Sequence, residues 1–144
     1  MTDGWPFTHA DRVRYADVDT MRHLNNVAFV RFFEDARIAF MHSLFPEHDP
    51  TDPEEFPVVF AELHLAYRAP AYYGEEVRTS VRPSHLQRSS FRTEFRMEVG
   101  DRLIAEGHGV YVGYDYVAEK AQPLTEPIAE RLSALLEGPQ NIVG

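Results

Sequence analysis

The 144-residue chain has no cysteine and a single lysine, Lys120. Without thiols there is no disulfide, no thiolate metal ligand and no cysteine nucleophile. Subtracting that lysine from 14 basic residues leaves 13 arginines, against 23 acidic residues and a net charge of −9. Such a balance excludes general nucleic-acid binding, which needs a basic field to meet phosphates. No apolar run approaches the roughly 20 residues that span a bilayer, so no membrane association is expected. There is no glycine-rich phosphate loop, no GxSxG elbow and no HExxH pair. The seven histidines are scattered without ligand spacing, so no metal is expected. Residues 1–6 lack the basic start and apolar stretch of a secretory signal, which makes the cytoplasm the expected compartment.

What is present suits one compact domain over residues 1–144. The hydrophobic content of 44% and charged content of 26% are ordinary for a globular chain with a real core. Arginine favours bidentate recognition of phosphate or carboxylate, but the arginine count by itself reads as a compositional bias. Only the position of a particular arginine can carry a functional claim.

Residues 8–15 read as a first strand. From about Asn25 to Leu44 the pattern is helical, with Asn25 or Asn26 as N-cap. Arg31, Glu34, Asp35 and His42 form a narrow polar stripe, while Phe29, Val30, Phe33, Ala36, Phe40, Met41 and Leu44 fill most of the rest. A helix so apolar around its circumference is expected to be buried on several sides. Pro46 ends it, and the acidic, proline-rich residues 47–57 read as a loop. Strands follow. The strictest alternation is Phe91, Thr93, Phe95, Met97 and Val99 against Arg92, Glu94, Arg96 and Glu98, before a hairpin turn at Gly100-Asp101. Gly107, Gly109 and Gly113 in the next strand point to close packing or a bulge. The expected architecture is α+β: a curved antiparallel sheet of about five strands wrapped around one long central helix. The core covers about 8–116, followed by a C-terminal helix at about 125–137 and a flexible tail. Apolar sheet surface left over favours pairing with a second copy.

The segment richest in chemistry is Tyr15-Ala16-Asp17-Val18-Asp19-Thr20-Met21-Arg22-His23-Leu24-Asn25-Asn26, two carboxylates and a histidine ahead of a helix start. A helix N-terminus presents unpaired N–H groups and partial positive charge, which can stabilise developing negative charge. Taken alone, Asp19 reads as a turn carboxylate that bonds nearby backbone N–H groups. Asp17 reads as a loop organiser, His23 as either a substrate contact or a turn brace, and Glu34 and Arg37 as a structural helix pair.

Together with Phe33-Glu34-Asp35-Ala36-Arg37, Tyr67-Arg68-Ala69-Pro70, Gly74-Glu75-Glu76-Val77 and Arg88-Ser89-Ser90-Phe91, this segment resembles the hotdog-fold acyl-CoA thioesterases of the hydroxybenzoyl-CoA thioesterase superfamily. The resemblance spans roughly residues 8–116. It implies the hotdog fold and hydrolysis of an acyl-CoA to free acid and CoA. By it, Asp19 is the catalytic nucleophile or general base, the Asn26 backbone N–H polarises the carbonyl, and His23 assists. Arg88, Ser89 and Ser90 lie near the CoA arm, and Tyr67 lines the acyl site. Relatives commonly have glycine where Arg22 stands, so either the loop takes another path or Arg22 reaches the substrate. No cofactor is implied, CoA being part of the substrate, and the expected assembly is a homodimer or homotetramer. Two other readings stay open: a hotdog hydratase or dehydratase pairing Asp19 with His23, and a non-catalytic acyl-CoA binding module.

Overall fold

The computed structural model describes residues 4–136. Strand β1 (Phe7–Arg12) leads through a 3-10 turn (Tyr15–Asp17) to helix α1 (Asn26–Leu44). Strands β2 (Val58–Tyr67), β3 (Glu76–Ser84), β4 (Ser90–Val99) and β5 (Arg102–Asp115) follow, then the two-residue β6 (Lys120–Ala121) and helix α2 (Glu126–Leu136). All pairings are antiparallel, in the order β1-β3-β4-β5-β2 with β6 on the end of β5. The sheet is curved and carries the long helix, the hotdog arrangement.

One boundary differs from the sequence expectation, for a local reason, and the α1 start falls where the cap was expected. The sequence pattern carries the first strand to Tyr15, but it stops at Arg12. Asp17 Oδ2 accepts the Arg14 N–H at 2.8 Å while the Asp17 N–H donates to the Arg14 carbonyl at 2.9 Å, closing a turn where the strand would have continued. Helix α1 begins at Asn26 because Asn25 is its cap, its Oδ1 accepting the Val27 N–H at 2.8 Å. Helix α2 ends at Leu136, and the tail expected beyond it lies outside the described residues.

The period-two pattern of β4 sorts its residues as expected. Phe91, Thr93, Phe95 and Met97 are buried toward α1, and Arg92, Glu94, Arg96 and Glu98 line the outer face. The helix meets them with Phe29, Phe32, Phe33, Ala36, Phe40 and Met41, all buried. Phe33 is central: its ring centroid lies 4.5 Å from Phe95 and 5.7 Å from Phe60. Each such aromatic contributes about 1.5–3 kcal/mol of transfer free energy, so this seam holds helix and sheet together.

The glycines of β5 make the seam possible. A Cβ on Gly107 would overlap the His64 carbonyl oxygen of β2, and one on Gly109 would stand 2.5 Å from Phe60 Cε1. The first obstacle is backbone and the second a ring that can turn. Gly107→Ala is therefore expected to lower unfolding free energy by about 3 kcal/mol and Gly109→Ala by less. The midpoints of urea unfolding measure both, and equal losses would contradict this packing.

Candidate active site

The loop between β1 and α1 is organised by Asp17, which is buried. Its Oδ2 accepts from the Arg14 backbone N–H and, at 3.0 Å, from Arg31 Nη2 on α1. Its carbonyl accepts the Asn25 N–H at 2.8 Å. Arg31 also reaches Asp35 at 3.1 Å and Asp11 at 3.7 Å, so one cation joins strand, loop and helix. The Leu24 N–H donates to the Ala71 carbonyl at 2.7 Å, which ties the loop to the turn before β3.

Beyond Asp17 the chain doubles back through a bridge between Val18 and Leu24. Asp19 heads the turn. Its N–H donates to the His23 carbonyl and its own carbonyl accepts the Arg22 N–H, both at 2.9 Å. Its Oδ1 accepts the N–H groups of Met21 at 2.9 Å and His23 at 3.3 Å. One carboxylate oxygen is thus fixed, and Oδ2 is left without a partner among the described residues. The Asp19 side chain lines a cleft of about 770 Å³ with Tyr15, Val18, Thr20, Arg22 and Tyr73.

On the other side of the Val18–Leu24 bridge stands the first turn of α1. Asn25 covers the Val27 N–H, while the Asn26 N–H, the first of the helix, has no acceptor among the described residues. Tyr67 of β2 donates from its hydroxyl to the Asn26 carbonyl at 3.2 Å and lays its ring edge on Phe29 at 5.0 Å, fixing that turn from outside. The His23 ring packs edge-on against Tyr72, 5.5 Å between centroids. Its link to Asp19 runs through backbone rather than imidazole.

Asp19, Arg22, His23, Asn26 and Tyr67 are therefore gathered at one end of the sheet. Arg88, Ser89 and Ser90 are not with them. β3 starts beside the Asp17 loop and ends at Ser84, so the connection that follows lies a strand's length away, about 27 Å for nine residues. There the carbonyls of Arg88 and Ser89 accept N–H groups of Leu124 and Gly113, both at 2.9 Å. Sequence reasoning did not assign Tyr15 and Tyr73 to the site, yet their rings meet edge to face at 6.1 Å on the cleft wall. Both are strongly exposed, 79% and 65%. Neither residue carries a signal in its own stretch of sequence, because the wall forms only where the two loops meet.

Arg22 has a φ of +65°, in the left-handed region that glycine enters freely, so the arginine sits on a backbone suited to glycine. Among the described residues no three His, Asp or Glu side chains converge to hold a metal ion, and no helix is long and apolar enough to cross a membrane.

Similarity to known proteins makes this chain a thioester hydrolase. Residues 13–132 match the family model of the thioesterase-like superfamily, and the chain belongs to that family. A thioesterase from Thermus thermophilus, solved with coenzyme A and zinc, is 33% identical over 96% of this chain and 99% of its own, with a TM-score of 0.83. A hypothetical protein of the same organism is 28% identical over 89% and 98%, with a TM-score of 0.76. A 1,4-dihydroxy-2-naphthoyl-CoA thioesterase from Synechocystis, 17% identical over 92% and 98%, shares the fold with a TM-score of 0.81. No curated protein matches the chain.

Holding a non-glycine residue in the left-handed region costs about 1–2 kcal/mol. Arg22→Gly relieves this but loosens the unfolded chain, so thermal unfolding should show a net gain of about 1 kcal/mol. A loss of stability would mean that the arginine side chain supports the loop.

Proposed function

We propose that this protein is an acyl-CoA thioesterase in which Asp19 attacks the thioester or draws a proton from the attacking water. The observation that carries the reading is the state of the Asp19 carboxylate. Two backbone N–H groups hold Oδ1, Oδ2 has no partner among the described residues, and Asp19 lines the cleft. The Asn26 N–H is the donor for the carbonyl oxygen as charge develops there, aided by the α1 dipole. The departing CoA is a thiol with pKa of about 8.5, so it leaves as thiolate without a strong general acid. One carboxylate and one N–H are sufficient equipment.

His23 braces the turn that aims Asp19 and stands close enough in the chain to orient water. Tyr67 holds the first turn of α1 in place through the Asn26 carbonyl. Arg22 offers its guanidinium to the phosphates of the CoA arm from the cleft rim, which gives the strained backbone a function. A hydratase would require an imidazole–carboxylate couple, and His23 turns its ring to Tyr72 instead.

The separation of Arg88, Ser89 and Ser90 from Asp19 supports a homodimer in which each site takes its CoA-arm contacts from the second copy. The sheet offers a route: β2 is a ten-residue edge strand, and among the described residues nothing pairs with its free side.

Asp19→Ala is expected to lower thiol release from acyl-CoAs about 10²- to 10⁴-fold, and Asp19→Asn, which keeps an Oδ1 acceptor for the Met21 and His23 N–H groups, to do the same with the urea midpoint nearly unchanged. Undiminished turnover would sink the assignment, and water addition to enoyl-CoA without thiol release would favour the hydratase. For the shared site the expected result is complementation. Mixing Asp19→Ala with Arg88→Ala and allowing exchange restores up to about one quarter of wild-type activity, because half the dimers then hold one intact site. No recovery in a mixture shown to have exchanged would exclude a site built from both copies.

A further inference from the structure

The outer face of the sheet brings together two histidines that the chain keeps far apart. Leu63 and Leu65 of β2 pack inward against the core, so His64 between them points outward. Its direct partner across the antiparallel pair is His108 of β5, which also stands opposite Glu94 on the outer face of β4. Residues so placed have Cβ atoms about 4.5–5.5 Å apart. The two imidazoles lie nearly flat on each other, 5.2 Å between centroids and 12° between planes. Both line an open, polar depression of about 470 Å³ that also includes Trp5.

Neither ring makes a hydrogen bond among the described residues, and the nitrogens of His108 reach solvent. Burial holds the His108 imidazole below its ordinary value, with the Arg92 charge and His64 acting the same way. At neutral pH the ring is therefore uncharged and offers a nitrogen lone pair. Of the two carboxylates that act on it, Glu94 is tied to Arg82 at 3.0 Å, while Glu62 has no ion pair among the described residues and offsets Arg92. The other cations of the depression are matched, Arg68 by Glu106 at 3.0 Å and Arg96 by Glu98 at 3.4 Å. A metal cation meets no large net repulsion here.

We infer that His64 and His108 form a two-imidazole site for a divalent transition-metal ion of the zinc and copper class, with water completing its coordination. Imidazole nitrogen suits these ions, whereas magnesium and calcium require oxygen ligands. Zinc–nitrogen bonds are about 2.0–2.1 Å long, and the outer torsion of a histidine side chain is broad, so both rings can turn onto one ion without moving the strands. Two protein ligands make this an open site rather than a closed structural one. It shares no residue with the Asp19 cleft and does not depend on the hydrolase reading.

Calorimetric titration with zinc chloride tests it. Wild type should take up one zinc ion, and magnesium chloride should give no binding heat. His64→Asn and His108→Asn should each weaken zinc binding by about tenfold or more, and the double substitution should weaken it little further, because a single imidazole no longer chelates. His85→Asn, on the connection after β3, should leave zinc binding unchanged. Both paired rings lie outside the core, so neither variant loses a core contact. Copper(II) gives a second readout: Trp5, the only tryptophan, lines the same depression, and copper should quench its fluorescence in wild type but not in the double variant. Zinc affinity unchanged in both variants, fully additive losses, equal binding of magnesium, or quenching that persists in the double variant would each overturn the site.

Discussion

The hydrogen bonds of one buried carboxylate, that of Asp17, hold the functional end of this protein together. It receives the Arg14 N–H and the Arg31 guanidinium, while its own backbone carbonyl receives the N–H of the residue that caps α1. The position of the Asp19 turn relative to the helix start follows from that arrangement. Charge-assisted bonds in a sheltered site are strong and directional, and losing one partner leaves another buried polar group exposed to the full desolvation cost. Asp17 and Asp19 thus divide their work. The buried acid sets the loop, and the exposed one keeps an oxygen free.

This local arrangement rests on the aromatic seam beneath it. Phe33 of α1 sits between Phe60 and Phe95, and glycines at 107 and 109 let β2 and β5 approach closely enough for the helix to lie in the curve of the sheet. The helix N-terminus is delivered to the loop by packing along its whole length. The same seam leaves a half-open cavity further along α1, lined in part by Tyr111 and Arg37. The Asp19 cleft, by contrast, is lined by the loop before the helix and by Tyr73.

Much of this was legible in the chain. The strict alternation in β4 and the apolar circumference of α1 specified inner and outer faces, because side-chain direction follows backbone period. The Asn25 cap and the acid-rich loop before it were readable as local chemistry. The end of β1 was not, because the alternation runs on past Arg12. The turn is imposed by Asp17, whose partner Arg31 lies 14 residues away. Tyr15 and Tyr73 escaped notice because neither is unusual in its own stretch of sequence. They form a cleft wall only where two loops meet.

By itself, then, the sequence determined the class of fold, the capped helix, and the acid-bearing loop that leads into it. These depend on periodicity and on groups within a few residues of each other. Tertiary structure alone decided which oxygen of Asp19 is held, that Arg22 occupies a left-handed backbone, that Arg88, Ser89 and Ser90 stand at the far end of the sheet, and that Tyr111 is buried without a partner. Each of those facts is set by the three-dimensional meeting of distant segments, where hydrogen-bond geometry and steric fit, rather than local preference, select the arrangement.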